Sequence, residues 1–187
     1  SYVLDRGHFN VKSLDDDMSL QIFHTYIESL DGQKRYFLES DYKEFSKYMN
    51  QIDDQLRELD LSFFNLTDER LALRMTEIEG MYKSLLSTPF DFEVEEFYDI
   101  DYEKQSFPLT QSARKEKWRQ QLKLSTLGIL HDKVIEEDKK AEKNADYTPK
   151  TWEELEDASR EVTQNNMDDY FDIMNDLERK DWLDVYL

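Results

Sequence analysis

Apolar side chains along this chain recur every three to four positions, the spacing that places them on one face of a helix. Met18, Ile22, Phe23, Tyr26, Ile27 and Leu30 form the first such series. It opens with Ser13 or Asp15 as cap and stops at Asp31-Gly32, where glycine can take the left-handed backbone that ends helices. A second helix is predicted after Ser40, with Asp41 and Glu44 near its positive end and Phe45, Tyr48, Met49, Ile52, Leu56 and Leu59 buried. A third runs from Ser62 to Leu86 and presents Phe64, Leu71, Met75, Ile78, Tyr82 and Leu85. Pro89 lies just beyond it, and its ring and missing N–H cannot continue a helix.

Between 88 and 109 the period is lost. Phe92, Phe97, Tyr98, Tyr102 and Phe107 stand among Asp and Glu, which predicts an irregular connector pinned down by its rings. Helical spacing returns after Thr110 with Ala113, Trp118, Leu122, Leu124, Leu127, Ile129, Leu130, Val134 and Ile135. The charged stretch from Glu136 to Asn144 then reads either as more helix or as a solvated loop. Thr151 and Glu154 form a capping-box pair ahead of Trp152, Leu155, Ala158 and Val162. Asn165-Asn166 predicts a break, after which Tyr170, Phe171, Met174, Leu177 and the residues from Trp182 to Leu187 make a last helix.

The pattern as a whole predicts an all-α, irregular multi-helix domain of about six helices. It is read as a single domain over 1–187, with possible sub-units 1–87 and 110–187 joined by the connector 88–109. Only 4 Gly and 3 Pro leave little material for tight hairpin turns, which also disfavours a β fold.

Composition narrows the partners. With 187 residues, 39% of them hydrophobic, the chain can bury a core. A net charge of -19 argues against nucleic acid and against an anionic membrane surface, and favours neutral or basic partners. The absence of Cys removes thiol catalysis, thiolate metal sites and disulfides, and leaves the redox compartment open. No apolar run approaches the roughly 18 residues of a membrane span, and no signal segment opens the chain at Ser1-Tyr2-Val3.

Candidate chemistry is sparse. His8, His24 and His131 stand far apart in sequence, outside any paired metal spacing. His24 and Glu28 are one helical turn apart, but two ligands do not make a site. Asp15-Asp16-Asp17 lacks the Gly and Glu that a calcium loop needs at its sixth and twelfth positions, here Leu20 and Tyr26, and reads as an acidic helix start. Ser46-Lys47 and Lys83-Ser84 are adjacent pairs whose side chains diverge by about 100° on a helix, so neither is a dyad. No catalytic residue, cofactor-binding residue or metal ligand is assigned. For binding, Tyr36-Phe37-Leu38 with Phe90, Phe92, Phe97 and Tyr98 is a candidate groove for a peptide or partner helix, against the commoner reading of such rings as core.

One ordered string goes further. His8-Phe9, Leu14-Asp15-Asp16, Ser19, Ile22-Phe23, Tyr26, Leu30-Asp31, Phe37-Leu38, Ser40-Asp41 and Phe45 resemble, in order and spacing, the start of the amino-terminal helical domain of tail-specific proteases. These are also called carboxy-terminal processing proteases, of the S41 peptidase family. The likeness continues more weakly through Leu85, Pro89-Phe90-Asp91-Phe92 and Trp118.

The resemblance implies a piece of a larger periplasmic enzyme whose PDZ domain and Ser-Lys protease domain lie outside this chain. On that basis the partners are those remaining domains, together with a protein adaptor and, through the parent, protein substrates. The expected role is to shape substrate access and dock on the PDZ and protease core. The expected docking surface is Trp182, Leu183, Tyr186 and Leu187, with Phe90, Phe92 and Phe97. The competing reading is a stand-alone acidic helical adaptor or scaffold for partner helices.

Overall fold

The structure, a computed structural model, describes residues 16–187. The candidate cap residues Ser13 and Asp15, and His8-Phe9 and Leu14 of the family-like string, lie outside the described residues. Among the described residues there are seven α-helices and no strand. They are α1 (Asp16–Asp31), α2 (Glu39–Phe45), α3 (Ile52–Glu58), α4 (Ser62–Leu86), α5 (Gln111–Lys143), α6 (Trp152–Asp176) and α7 (Arg179–Tyr186). Short 3₁₀ turns occur at Ser46–Tyr48 and Tyr102–Lys104. The all-α prediction holds, and the connector from Ser87 onward is irregular apart from the second 3₁₀ turn.

Two expected boundaries move. The predicted second helix is two helices: Ser46 Oγ donates to the Tyr42 carbonyl (2.7 Å), the chain tightens through the 3₁₀ turn, and α3 starts afresh at Ile52. Phe45 and Ile52 are fully buried, while Tyr48, Met49 and Leu56 are only half-buried. Leu59, expected in the core, is 83% exposed, because it ends α3 in the left-handed conformation at φ 59°. Its successor Asp60 donates its N–H to the Gln55 carbonyl at 2.8 Å and closes the helix end.

The predicted break at Asn165-Asn166 is absent. Both asparagines sit on the exposed side of α6, where their modest helix propensity costs little. The buried face continues past them from Leu155, Ser159 and Thr163 to Phe171, with Met167 half-buried between. The interruption comes at Leu177 and Glu178, and Asp181 accepts the Glu178 N–H (2.8 Å) to start α7.

Backbone packing divides the chain into two units. The first takes the chain up to Thr76 with Asp101–Gln111 and Leu177–Leu187; the second takes Glu77–Ile100 and Ser112–Asp176. The core of the first is largely aromatic. Phe23 stacks on Phe63 at 5.6 Å, Phe37 meets Phe45 edge-on at 5.0 Å, and Tyr186 of α7 inserts against Tyr26 (4.9 Å) and Phe64 (5.7 Å). Each such pair adds about 0.5–1.5 kcal/mol beyond the area it buries.

The second unit is built on α5 and α6 with the end of α4. Tyr82 stacks on Phe171 at 5.2 Å, and Trp118, Leu122, Leu130 and Leu155 fill the interior. The charged stretch after Ile135 is helical to Lys143 and is fastened through the buried Glu137, which accepts from Lys140 Nζ (2.7 Å), the Tyr147 hydroxyl (2.6 Å) and the Lys150 N–H (3.1 Å). The expected capping box is present, with the Glu154 N–H reaching Thr151 Oγ1 and the Thr151 N–H reaching Glu154.

Candidate functional site

The family-like string becomes intelligible in the first unit. Asp31, at the end of α1, is buried and turns its carboxylate onto the loop that follows. It accepts the N–H of Arg35 (2.8 Å), Tyr36 (2.9 Å) and Phe37 (2.8 Å). Burial pushes its carboxyl up to about 6, although the three N–H donors pull the other way. The loop so held brings Phe37 and Leu38 into the core and sets up α2.

Asp41 does the same one step later. It accepts the Leu38 N–H (2.8 Å), a forked pair of bonds from Arg74 (2.8 Å each) and one from Arg70. Burial works to raise its carboxyl, but Arg74, the Leu38 N–H and Arg70 outweigh it and hold it below the usual value. Ser19 on α1 donates to Asp53 Oδ1 (2.7 Å) and accepts the Asp53 N–H (2.8 Å), so one helix caps the start of α3. Asp53, Arg70 and Arg74 escape sequence reasoning because the partners that tie them to other helices, Ser19, Glu44 and Asp41, lie 26 to 34 residues away. The only signal was that an acidic or hydroxyl residue recurred at fixed places in the string.

Beside Asp31 lies a cleft of about 550 Å³. Its walls are His24, Ile27, Glu28 and Asp31 of α1, Glu39 and Tyr42 of α2, and the connector from Tyr102 to Phe107. Tyr42 and Phe107 stack at 5.1 Å to form its apolar side. The Lys34 ammonium donates to the backbone carbonyls of Glu103 (3.2 Å) and Gln105 and sits 5.9 Å from the Phe107 ring centre. The cleft is therefore acidic and aromatic. It pairs no nucleophile with a base, and among the described residues no three His, Asp or Glu side chains gather around a point that could hold a metal.

The residues expected to dock are distributed differently. Tyr186 is 5% exposed, packed inside the first unit, and its hydroxyl has no hydrogen-bond partner among the described residues. Trp182 and Leu183 are half-buried, and Leu187 is exposed. In the second unit Phe90 and Phe92 are half-buried and in ring contact (6.1 Å), Phe92 meets Trp152 at 6.3 Å, and Phe97 is fully outward. Of the groove candidates, Tyr36, Phe37 and Leu38 are core of the first unit, while Phe90, Phe92, Phe97 and Tyr98 belong to the second. Asp16 and Asp17 are exposed in the first turn of α1. Ser46 and Lys83 are engaged elsewhere, Ser46 with the Tyr42 carbonyl and Lys83 with Asp168 at 3.4 Å. No helix among the described residues is long and apolar enough to cross a membrane.

Comparison with known proteins gives two concordant results. The family model described as the tail specific protease N-terminal domain matches residues 1–187. The tail-specific protease of Haemophilus influenzae is 31% identical over 173 residues, which is 91% of this chain and 24% of that protein. The chain thus spans about a quarter of the length of this curated relative.

Proposed function

The chain belongs to the tail specific protease N-terminal domain family, and from that membership we propose that it is the non-catalytic helical domain of a periplasmic carboxy-terminal processing protease. In this reading it shapes substrate access and docks on the PDZ and protease domains of its parent. The observation that carries the reading is the use made of the family-like string. Ser19, Asp31 and Asp41 point into the domain, where they cap helices and fix loops, and present no reacting group outward. Architecture, not chemistry, is what those positions supply. The half-buried Trp182 and Leu183 of α7 and the exposed Leu187 just after it, with the connector's Phe97, provide surface for the other domains.

Hydrogen exchange on this chain and on the parent extended through the following domains tests it. Protection of residues 180–187 rises sharply in the longer protein if α7 docks there, because so short a helix is marginal without tertiary packing. Equal, strong protection in both gives the domain to the stand-alone acidic adaptor reading instead. Turnover of a tail-derived peptide by this chain alone, abolished by one substitution, overturns the non-catalytic assignment.

A further inference from the structure

We propose that the cleft beside Asp31 is a receptor for one basic side chain, a lysine or arginine presented by a polypeptide segment. This stands independently of the protease reading and rests on the cleft's shape and charge. About 550 Å³ lies within the range of small-ligand pockets, roughly 300–1,000 Å³. Four acidic residues line it, Glu28, Asp31, Glu39 and Glu103, against the single lysine Lys34.

Those carboxylates are not equally occupied. Asp31 is taken by three backbone N–H groups, and Glu39 lies 3.7 Å from Lys43. Glu28 and Glu103 carry carboxylates with no hydrogen bond or ion pair among the described residues. Lys34 cannot answer them fully, because its ammonium is drawn to the backbone carbonyls of Glu103 and Gln105. It does show what this wall accepts: an ammonium held by carbonyls near the Phe107 ring.

A metal ion would need several carboxylates converging on one point, which the described residues do not offer. An extended organic cation needs only spaced charges and an apolar wall for its methylenes, and the Tyr42–Phe107 stack supplies that wall. A concave cleft lined mainly by one sign of charge focuses the field such a cation feels.

The test is fluorescence anisotropy with the full chain and a labelled alanine peptide carrying one central lysine, with arginine and norleucine versions. The lysine and arginine peptides bind about tenfold or more tighter than the norleucine peptide, and the affinity falls with salt. Glu28→Gln with Glu103→Gln, both at exposed positions, loses that margin, and the peptide shifts the Gly32 amide resonance inside the cleft. Glu161→Gln with Asp169→Asn, exposed and outside the cleft, changes nothing. Norleucine binding as tight as lysine, equal losses in the two double variants, or a free diamine that binds as tightly as the peptide each overturn the proposal.

Discussion

The two units reach stability by different means. In the first, buried carboxylates take up backbone N–H groups three to six residues away and, at Asp41, arginines 29 and 33 residues away, and these bonds fix a loop and a helix start. In the second, local ion pairs such as Arg160 with Glu156 and Lys140 with Glu137 stand beside long-range ones such as Arg114 with Glu77 and Arg119 with Glu96, but the carboxylates of those long-range pairs are partly exposed where Asp41 is buried. Its apolar faces are also joined by hydroxyl pairs such as Thr126 with Thr163 (2.9 Å). A polar bond tolerates one residue type at one position; an apolar helix face tolerates any hydrophobe of similar volume. In the first unit such bonds fall on residues of the recognisable string, Ser19, Asp31 and Asp41.

The largest expected effect tests that contrast directly. Asp41→Ala leaves Arg74 and Arg70 facing a buried void and should cost about 3–5 kcal/mol. Glu156→Ala in the second unit removes the partner of Arg160 and of the Phe90 N–H (3.0 Å) and should cost about 1–3 kcal/mol. Denaturant melts measure both, and equal losses would erase the distinction between the units.

Tyr186 separates packing from hydrogen bonding inside the first unit. Tyr186→Ala should cost about 3–5 kcal/mol through the lost aromatic packing. Tyr186→Phe should cost nothing measurable or stabilise slightly, since its buried hydroxyl has no partner among the described residues, and burial already pushes that phenol up to about 12. A loss above about 1 kcal/mol for the phenylalanine variant would reveal a partner for the hydroxyl.

Two buried carboxylates should titrate in opposite senses. Asp31 rises from 3.8 to about 6, through burial, so the folded state binds the extra proton. Its contribution is complete below the unfolded value and is lost as pH rises through about 6. Glu137 of the second unit falls from 4.5 to about 2, through Lys140, the Tyr147 hydroxyl and the Lys150 N–H. Its contribution is present above the unfolded value and lost as pH falls through about 2. Carboxyl-carbon NMR titrations of the two side chains read this directly; shifts of the same sign would contradict the structure.

The smallest effect is local to α3. Leu59 holds a left-handed backbone while 83% exposed, a conformation that costs a non-glycine residue about 1–2 kcal/mol. Leu59→Gly removes that strain at the cost of unfolded-chain entropy and should gain about 0.5 kcal/mol in thermal melts.

How much was legible follows from the range of each signal. The period of Phe23, Tyr26, Ile27 and Leu30, the stop at Asp31, the Pro89 boundary and the Thr151–Glu154 box are written within a few residues, and the structure keeps them. The cleft was not legible. Its walls come from α1, α2 and the connector near Phe107, some 80 residues apart, and nothing in the local pattern says that Glu28 and Glu103 share a space.

The sequence by itself determined the all-α class, most helix faces and the family, because periodicity and an ordered string survive without knowledge of what touches what. Only the tertiary structure decided that the second helix is two, that Asn165-Asn166 passes uninterrupted, and that Tyr186 faces inward. In each case the deciding free energy comes from partners distant in the chain: Ser19 capping α3, the buried face that runs through Phe171, and the rings of Tyr26 and Phe64 around Tyr186. Local propensities of a few tenths of a kcal/mol per residue yield to contacts of that kind.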